Sequence, residues 1–185
     1  MAFNVAEFRA NLVGDGARPN LFSVSLVFPA IATAGGPVAS QKITFLAKTA
    51  QLPGSTVGQV PLYYFGRELK FAGNRTFADW SLQVINDEDF SVRTALESWM
   101  NSINSHAGNV RNSSGVSPSS YSTDATVTQY NKAGQAIQTY KFIGMFPLDV
   151  APIDLDWGTN DTIEEFNVTF AYQYWTNEAS TDTNG

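Results

Sequence analysis

The 185-residue chain contains no cysteine, so disulfides and thiolate metal sites are both excluded. It has a single histidine, His106, and no P-loop, GxSxG or HExxH pattern. Any Ser–His–Asp site would have to be built on His106, which follows a helical segment and reads more simply as a residue near free helix carbonyls. Long apolar runs are missing too. The least polar stretch, "LVFPAIATAGGPVA", is broken by Pro29, Gly35, Gly36 and Pro37 and is too short to cross a bilayer. The opening residues, "MAFNVAEFRANLVG", lack the basic and apolar regions of a secretory signal. The expectation is a soluble protein made in a cytoplasm, with no membrane anchor. Basic residues are absent after Lys141. Residues 142–185 carry eight carboxylates and no base, whereas residues 1–141 hold nine acids and 11 bases, a net of +2. The acidic end reads either as a solvated face or as a surface that repels anions or pairs with a basic surface on another copy. Without clustered Lys and Arg, tight sequence-specific DNA binding is disfavoured.

What is present is a globular composition, 43% hydrophobic with 13 Phe, in a length suited to one domain (1–185). Period-two alternation dominates. Phe22, Val24, Leu26 and Phe28 share one face of "NLFSVSLVF". Phe166, Val168, Phe170, Tyr172 and Tyr174 alternate with Glu165, Asn167, Thr169 and Gln173. "KITFLAKTA", "GQVPLYYF" and "TFADWSLQVI" read as shorter strands. "DATVTQYNKAGQAIQTYKFIGMF" reads as a hairpin turning near residues 131–134. In "FAGNRTFADWSLQVIND" a glycine turn precedes a strand with Trp80, Leu82 and Val84 on one face. From residue 89 the period changes: Val92, Leu96, Trp99 and Ile103 mark an amphipathic helix over about 89–103, with Asp87, Glu88 and Asp89 at its N-terminal end, where carboxylates cap free N–H groups. A weaker helix covers Phe3–Val13. Residues 29–40 and the serine-rich 111–124 read as loops, and 176–185 as a polar tail. The fold class is mainly β: an antiparallel sandwich or barrel with one packed helix.

The remaining chemical candidates are weak. Asp154, Asp156, Asn160 and Glu165 fall on ligand positions of a calcium-loop template, but Gly158 and Thr159 break it and the flanks are strands. Asp154 or Asp156 set against Glu164 or Glu165 could form a glycosidase pair, given a cleft. Tyr63, Tyr64, Trp157 and Trp175 read as core residues, sugar-stacking platforms or interface anchors.

The segments "ARPNLFSVSL", "FLAKTAQLPGSTVGQVPLYYFGRELKFAGNRTFADWSLQVINDED", "VTQYNKAGQAIQTYKFIGMFPLDVAPIDLDW" and "EEFNVTFAYQYW" resemble, in order and spacing, the major tail tube proteins of contractile-tailed bacteriophages, from about Ala17 to Trp175. More distantly they resemble tube proteins of phage-like injection systems and type VI secretion. The resemblance implies six subunits forming a ring with a continuous inner β-barrel, and rings stacked into a tube. It implies a contracting sheath, a baseplate, a tail terminator, a tape measure protein in the lumen and the passage of DNA. It implies a virion protein without catalysis or cofactor.

Three expectations follow. The polar residues Glu165, Asn167, Thr169 and Gln173 face the lumen. Arg18, Arg67 and Arg75 pair with acids of a neighbouring subunit or ring, or else within the chain. The segment "QLPGSTVGQVPLYYF", with Val57, Val60, Leu62, Tyr63 and Tyr64, reaches a subunit of the next ring. The competing readings are a tube subunit of an injection system and a carbohydrate-binding β-sandwich.

Overall fold

The computed structural model describes residues 4–111 and 117–178. Where the alternation is long, the chain forms strands, and every strand pairing is antiparallel. β1 is Phe22–Leu26 and buries Val24 and Leu26. β6 (Thr123–Tyr130) and β7 (Ala136–Val150) form the expected hairpin, whose turn is held by Asn131 Oδ1 accepting from the N–H groups of Ala133 and Gln135. β8 (Glu165–Ala171) buries Phe166, Val168 and Phe170, and β9 (Tyr174–Thr176) follows it. β5 is Trp80–Ile85, and β2 is Ala47–Ala50.

These strands make one seven-stranded sheet in the order β1-β6-β7-β8-β5-β2, with β9 beside β7. The sheet bends sharply along β7. Its first part pairs with β6 and β9, and its last residues, from Phe146, pair with β8. Gly144 sits at the change of partner with φ +65, a conformation that a side chain would strain. The two halves thus face each other across a shared core. The Trp80 ring lies 4.6 Å from Phe142 and 5.7 Å from Phe170, and Phe170 meets Trp99 at 6.4 Å. Helix α3 (Ser91–Ile103) covers this core with Val92, Ala95, Leu96 and Trp99, close to the expected span. Trp80 therefore reaches the helix through Phe170.

The acidic cluster before α3 divides its work. Asp89 Oδ1 accepts from the Ser91 N–H at 3.0 Å, while Asp87 and Asp89 both hold Lys42 of a second helix, the former at 2.6 Å. Lys42 and the Ser91 N–H keep the Asp89 carboxyl well below the usual carboxylate range; Asp87 and then Asp89 push the Lys42 ammonium up.

That second helix corrects the sequence reading. The segment expected as a loop at 29–40 and a strand in "KITFLAKTA" contains α2, Gly36–Leu46. Period two would put Ile43 and Phe45 on one face, but Ile43 is buried with Ala39, four residues away, and Phe45 is 85% exposed. Gly35 enters the helix in the left-handed region, Pro37 occupies its first turn, and Ser40 Oγ donates to the Gly36 carbonyl and accepts from the Phe28 N–H. So two helices pack on the sheet, with α2 against α3 and β1.

At the N-terminus α1 spans Val5–Asn11, capped by Asn4; Phe3 of the expected helix lies outside the described residues. Of the expected serine-rich loop, 112–116 lie outside them, Pro118–Tyr121 form the short helix α4, and β6 begins at Thr123. Of the expected tail, 179–185 lie outside them.

Candidate assembly site

Two features stand apart from the core. The first is a hairpin of β3 (Thr56–Tyr64) and β4 (Arg67–Thr76), paired only with each other as a separate two-stranded sheet. The sequence reading found β3 but took the glycine of "FAGNR" for a turn before the next strand. Instead Gly73 lies inside β4, where a Cβ would come within 3.1 Å of the Gly58 carbonyl group. There the glycine serves the close approach of two backbones. Arg75 is likewise not at a turn; it pairs across the hairpin with Val57.

The register Val60–Phe71 and Leu62–Leu69 builds an apolar ladder on one face of this arm. Val57, Val60, Leu62, Tyr63, Tyr64, Leu69 and Phe71 are each 42–68% exposed. A soluble monomer gains nothing from such a surface, and an isolated two-stranded hairpin is marginal in water. Leu69, Phe71 and the tip residue Phe65 were missed as assembly candidates, although the alternation in "RELKF" carried the signal.

The arm's root is held by two indoles. Trp80 Nε1 donates to the Gln51 carbonyl at 2.8 Å, and Trp175 Nε1 to the Gly54 carbonyl at 3.1 Å. Trp175, read from the sequence as a core residue, a stacking platform or an interface anchor, is partly buried against the core.

The second feature is the open face of the sheet half made by β8, β5 and β2. Glu165, Asn167 and Thr169 all point away from the core. Across from them stand Ile85, Gln83 and Ser81 of β5, and Thr49 of β2 lies beside Gln83. The surface carries hydroxyls and amides with Ile85 among them; Glu165 is paired with Lys48 at 2.6 and 2.8 Å, and the exposed Asp149 of β7 stands beside Thr169. Gln173 does not join this group. It sits in the break between β8 and β9, its N–H donating to the Ile143 carbonyl and its side chain close to Gly144.

Arg18, Arg67 and Arg75 are exposed, and none has an ion-pair partner among the described residues. Residues 151–164 form an irregular acidic loop in which Asp156 Oδ1 accepts from the Gly158 N–H. Glu164 bonds to Asn86 Nδ2, so this carboxylate is committed within the fold. Among the described residues no cluster of three or more His, Asp or Glu is placed to hold a metal ion. His106 is exposed, with its backbone N–H on Asn101 Oδ1. No described helix is long and apolar enough to cross a membrane.

Comparison with known proteins agrees with this layout. Residues 17–178 match the family model described as phage tail tube protein. The chain is 34% identical over 168 residues to the tail tube protein gp19 of Enterobacteria phage T4, covering 90% of this chain and 95% of that protein. It is 25% identical over 170 residues to the tail tube protein of Serratia phage KSP90, covering 91% and 93%. In fold it is similar to a chain of the sheath-tube complex of an extracellular contractile injection system, PVC, with TM-score 0.58 at 15% identity over 96% of this chain and 99% of that one. It is also similar to a chain of the tube-terminating cap of the anti-feeding prophage, with TM-score 0.61 at 14% identity over 88% and 90%.

Because the arm packs along no other element, replacing Val60–Phe71 by an Asn-Gly turn should change the unfolding free energy by no more than about 1 kcal/mol. Urea unfolding followed by tryptophan fluorescence measures this. A loss of several kcal/mol would show the arm to be part of the core.

Proposed function

Since the chain belongs to the phage tail tube protein family, we propose that its copies close into hexameric rings that stack into the hollow inner tube of a contractile tail. The observation that carries this reading is the arm: a strand pair with an apolar face and no place in its own core needs a neighbouring copy to cover it. Ring closure also answers a second need. β1, β2 and β9 each have a strand neighbour on one side only, and edges of this kind invite further pairing. Six copies paired edge to edge turn six open sheets into one continuous barrel with no edges.

In that barrel the face bearing Glu165, Asn167 and Thr169, with Gln83 and Ser81 beside them, lines the lumen, and α2 and α3 lie on the outer side. Such a wall suits passing DNA. Its hydroxyls and amides keep water at the surface. Its one cation near these residues, Lys48, is already held by Glu165, so phosphates find no free ammonium whose counterions they could displace. Gln173 belongs to the junction with β9 rather than to this wall. The arm crosses to a subunit of the next ring, and Arg18, Arg67 and Arg75 supply cations for acids of neighbouring subunits. Each exposed pair contributes only about 0–1 kcal/mol, so the contact gains strength by repetition round the ring.

The tube works inside a contracting sheath, between a baseplate and a terminator, with a tape measure protein in its lumen. The protein is made in the host cytoplasm and acts in the virion tail. Its role is structural, without catalysis or cofactor.

Two measurements test this. In the cysteine-free background, Asn167→Cys in assembled tubes should react with a small maleimide and resist one carrying a polymer too large to enter the bore. Equal reaction with both would put β8 on the outer wall. Arg75→Glu should reduce the yield of tubes seen by electron microscopy without changing the melting temperature; unchanged assembly would remove Arg75 from the contact.

A further inference from the structure

The tip of the arm is a strained and exposed turn. Tyr64 and Arg67 are joined by Phe65 and Gly66, both at positive φ (+45 and +80), the pattern of a tight hairpin turn in which Asn or Gly is the usual first residue. A phenylalanine is strained there; the residue is 93% exposed, and its ring meets that of Tyr64. Arg67 beside it has no ion-pair partner among the described residues. Across 56–76 the arm carries Arg67, Lys70 and Arg75 against Glu68, a net of +2.

The opposite surface exists on the same chain. The loop 151–164 carries Asp154, Asp156, Asp161 and Glu164 with no base. It also exposes large apolar side chains: Leu155 at 80%, Ile163 at 66% and Trp157 at 101%. It borders an open-sided cleft of about 420 Å³ lined by Ile153, Leu155 and Ile163 together with Asp154, Asp156, Glu164 and the Lys48-paired Glu165. Apolar side chains set among carboxylates complement an aromatic ring followed by a guanidinium.

We infer that the Phe65–Arg67 tip of one copy seats in the cleft of the 151–164 loop of a second copy, the ring against Leu155 and Ile163 and the guanidinium on Asp154 and Asp156. This rests on the tube reading and names the receptor for its arm. The docking joins a positive and a negative surface within one sequence, so a single chain can repeat the contact without end.

The test uses the absence of native cysteine. Phe65→Cys and Leu155→Cys are combined in the full chain at two exposed positions, tubes are assembled, and a mild oxidant is added before a non-reducing gel. The expected result is a ladder of linked chains running past six, present in tubes and absent from dilute unassembled protein. Intact tubes by microscopy with only monomer on the gel would overturn the docking and leave the tube reading standing. A ladder ending at six would support the docking but move it inside one ring, against the next-ring placement above. Failure of the unsubstituted chain to assemble under any condition would overturn both. Charge exchange gives a second readout. Arg67→Glu should lower tube yield about tenfold, and adding Asp154→Lys and Asp156→Lys should restore it; failure of the exchange to restore assembly counts against the pairing.

Discussion

The hydrogen bond from Trp80 Nε1 to the Gln51 carbonyl joins the two parts of this molecule that have opposite needs. The Trp80 ring is sealed between Phe142 and Phe170, at the centre of the core. Its one polar atom cannot stay unpaired there without a cost of about 1–3 kcal/mol. The partner it finds is the backbone just before the arm, and Trp175 repeats the device three residues later at Gly54. A hairpin without extensive packing on any other element is thereby given a fixed origin, because the residues just before it are tied to the aromatic core. Direction matters for a part proposed to meet another copy.

The distribution of polarity follows the same division. Inside the bent sheet the chain is aromatic and aliphatic; the open face of β8 and β5 is neutral and hydrogen-bonding; the arm is apolar and basic; the loop 151–164 is apolar and acidic. The net charge of −6 is therefore misleading as a single number. Of the eight acids flagged as a possible anion-repelling surface, four, Asp154, Asp156, Asp161 and Glu164, lie in the loop, while Asp149 and Glu165 lie on the sheet. The face proposed for the lumen is quiet, with its Lys48–Glu165 pair closed on itself. Low stickiness there comes from an absence of free cations more than from repulsion.

Much of the fold was legible because long alternations leave little freedom. β1, β6 and β8 bury the residues that period two selects, and α3 buries those that the helical period selects; β7 shifts phase at Gly144, burying Phe142 and then Met145 and Pro147. The failures have a common physical cause. In "KITFL" two apolar residues two apart fit a strand as well as a helix. What decided between them was the tertiary burial of Ala39 and Ile43 and the entry geometry at Gly35, neither visible locally. In "FAGNRT" a glycine that looked like a turn marks two backbones in close approach, which depends on Gly58, fifteen residues earlier. The candidate site divided the same way. Val57, Val60, Leu62, Tyr63 and Tyr64 lie together on the arm, and Glu165, Asn167 and Thr169 on one face. Gln173 left the group because the strand breaks after Ala171. Alternation counts residues and cannot see where a strand ends.

All of this converges on one claim, that the exposed arm and open sheet edges exist to be covered by further copies of the same chain. Negative-stain electron microscopy of the purified protein over a concentration series tests it directly. The account predicts hollow six-fold rings at intermediate concentration and tubes of uniform width at high concentration. Compact single particles across the whole series, with the arm still exposed to proteolysis at every concentration, would contradict it.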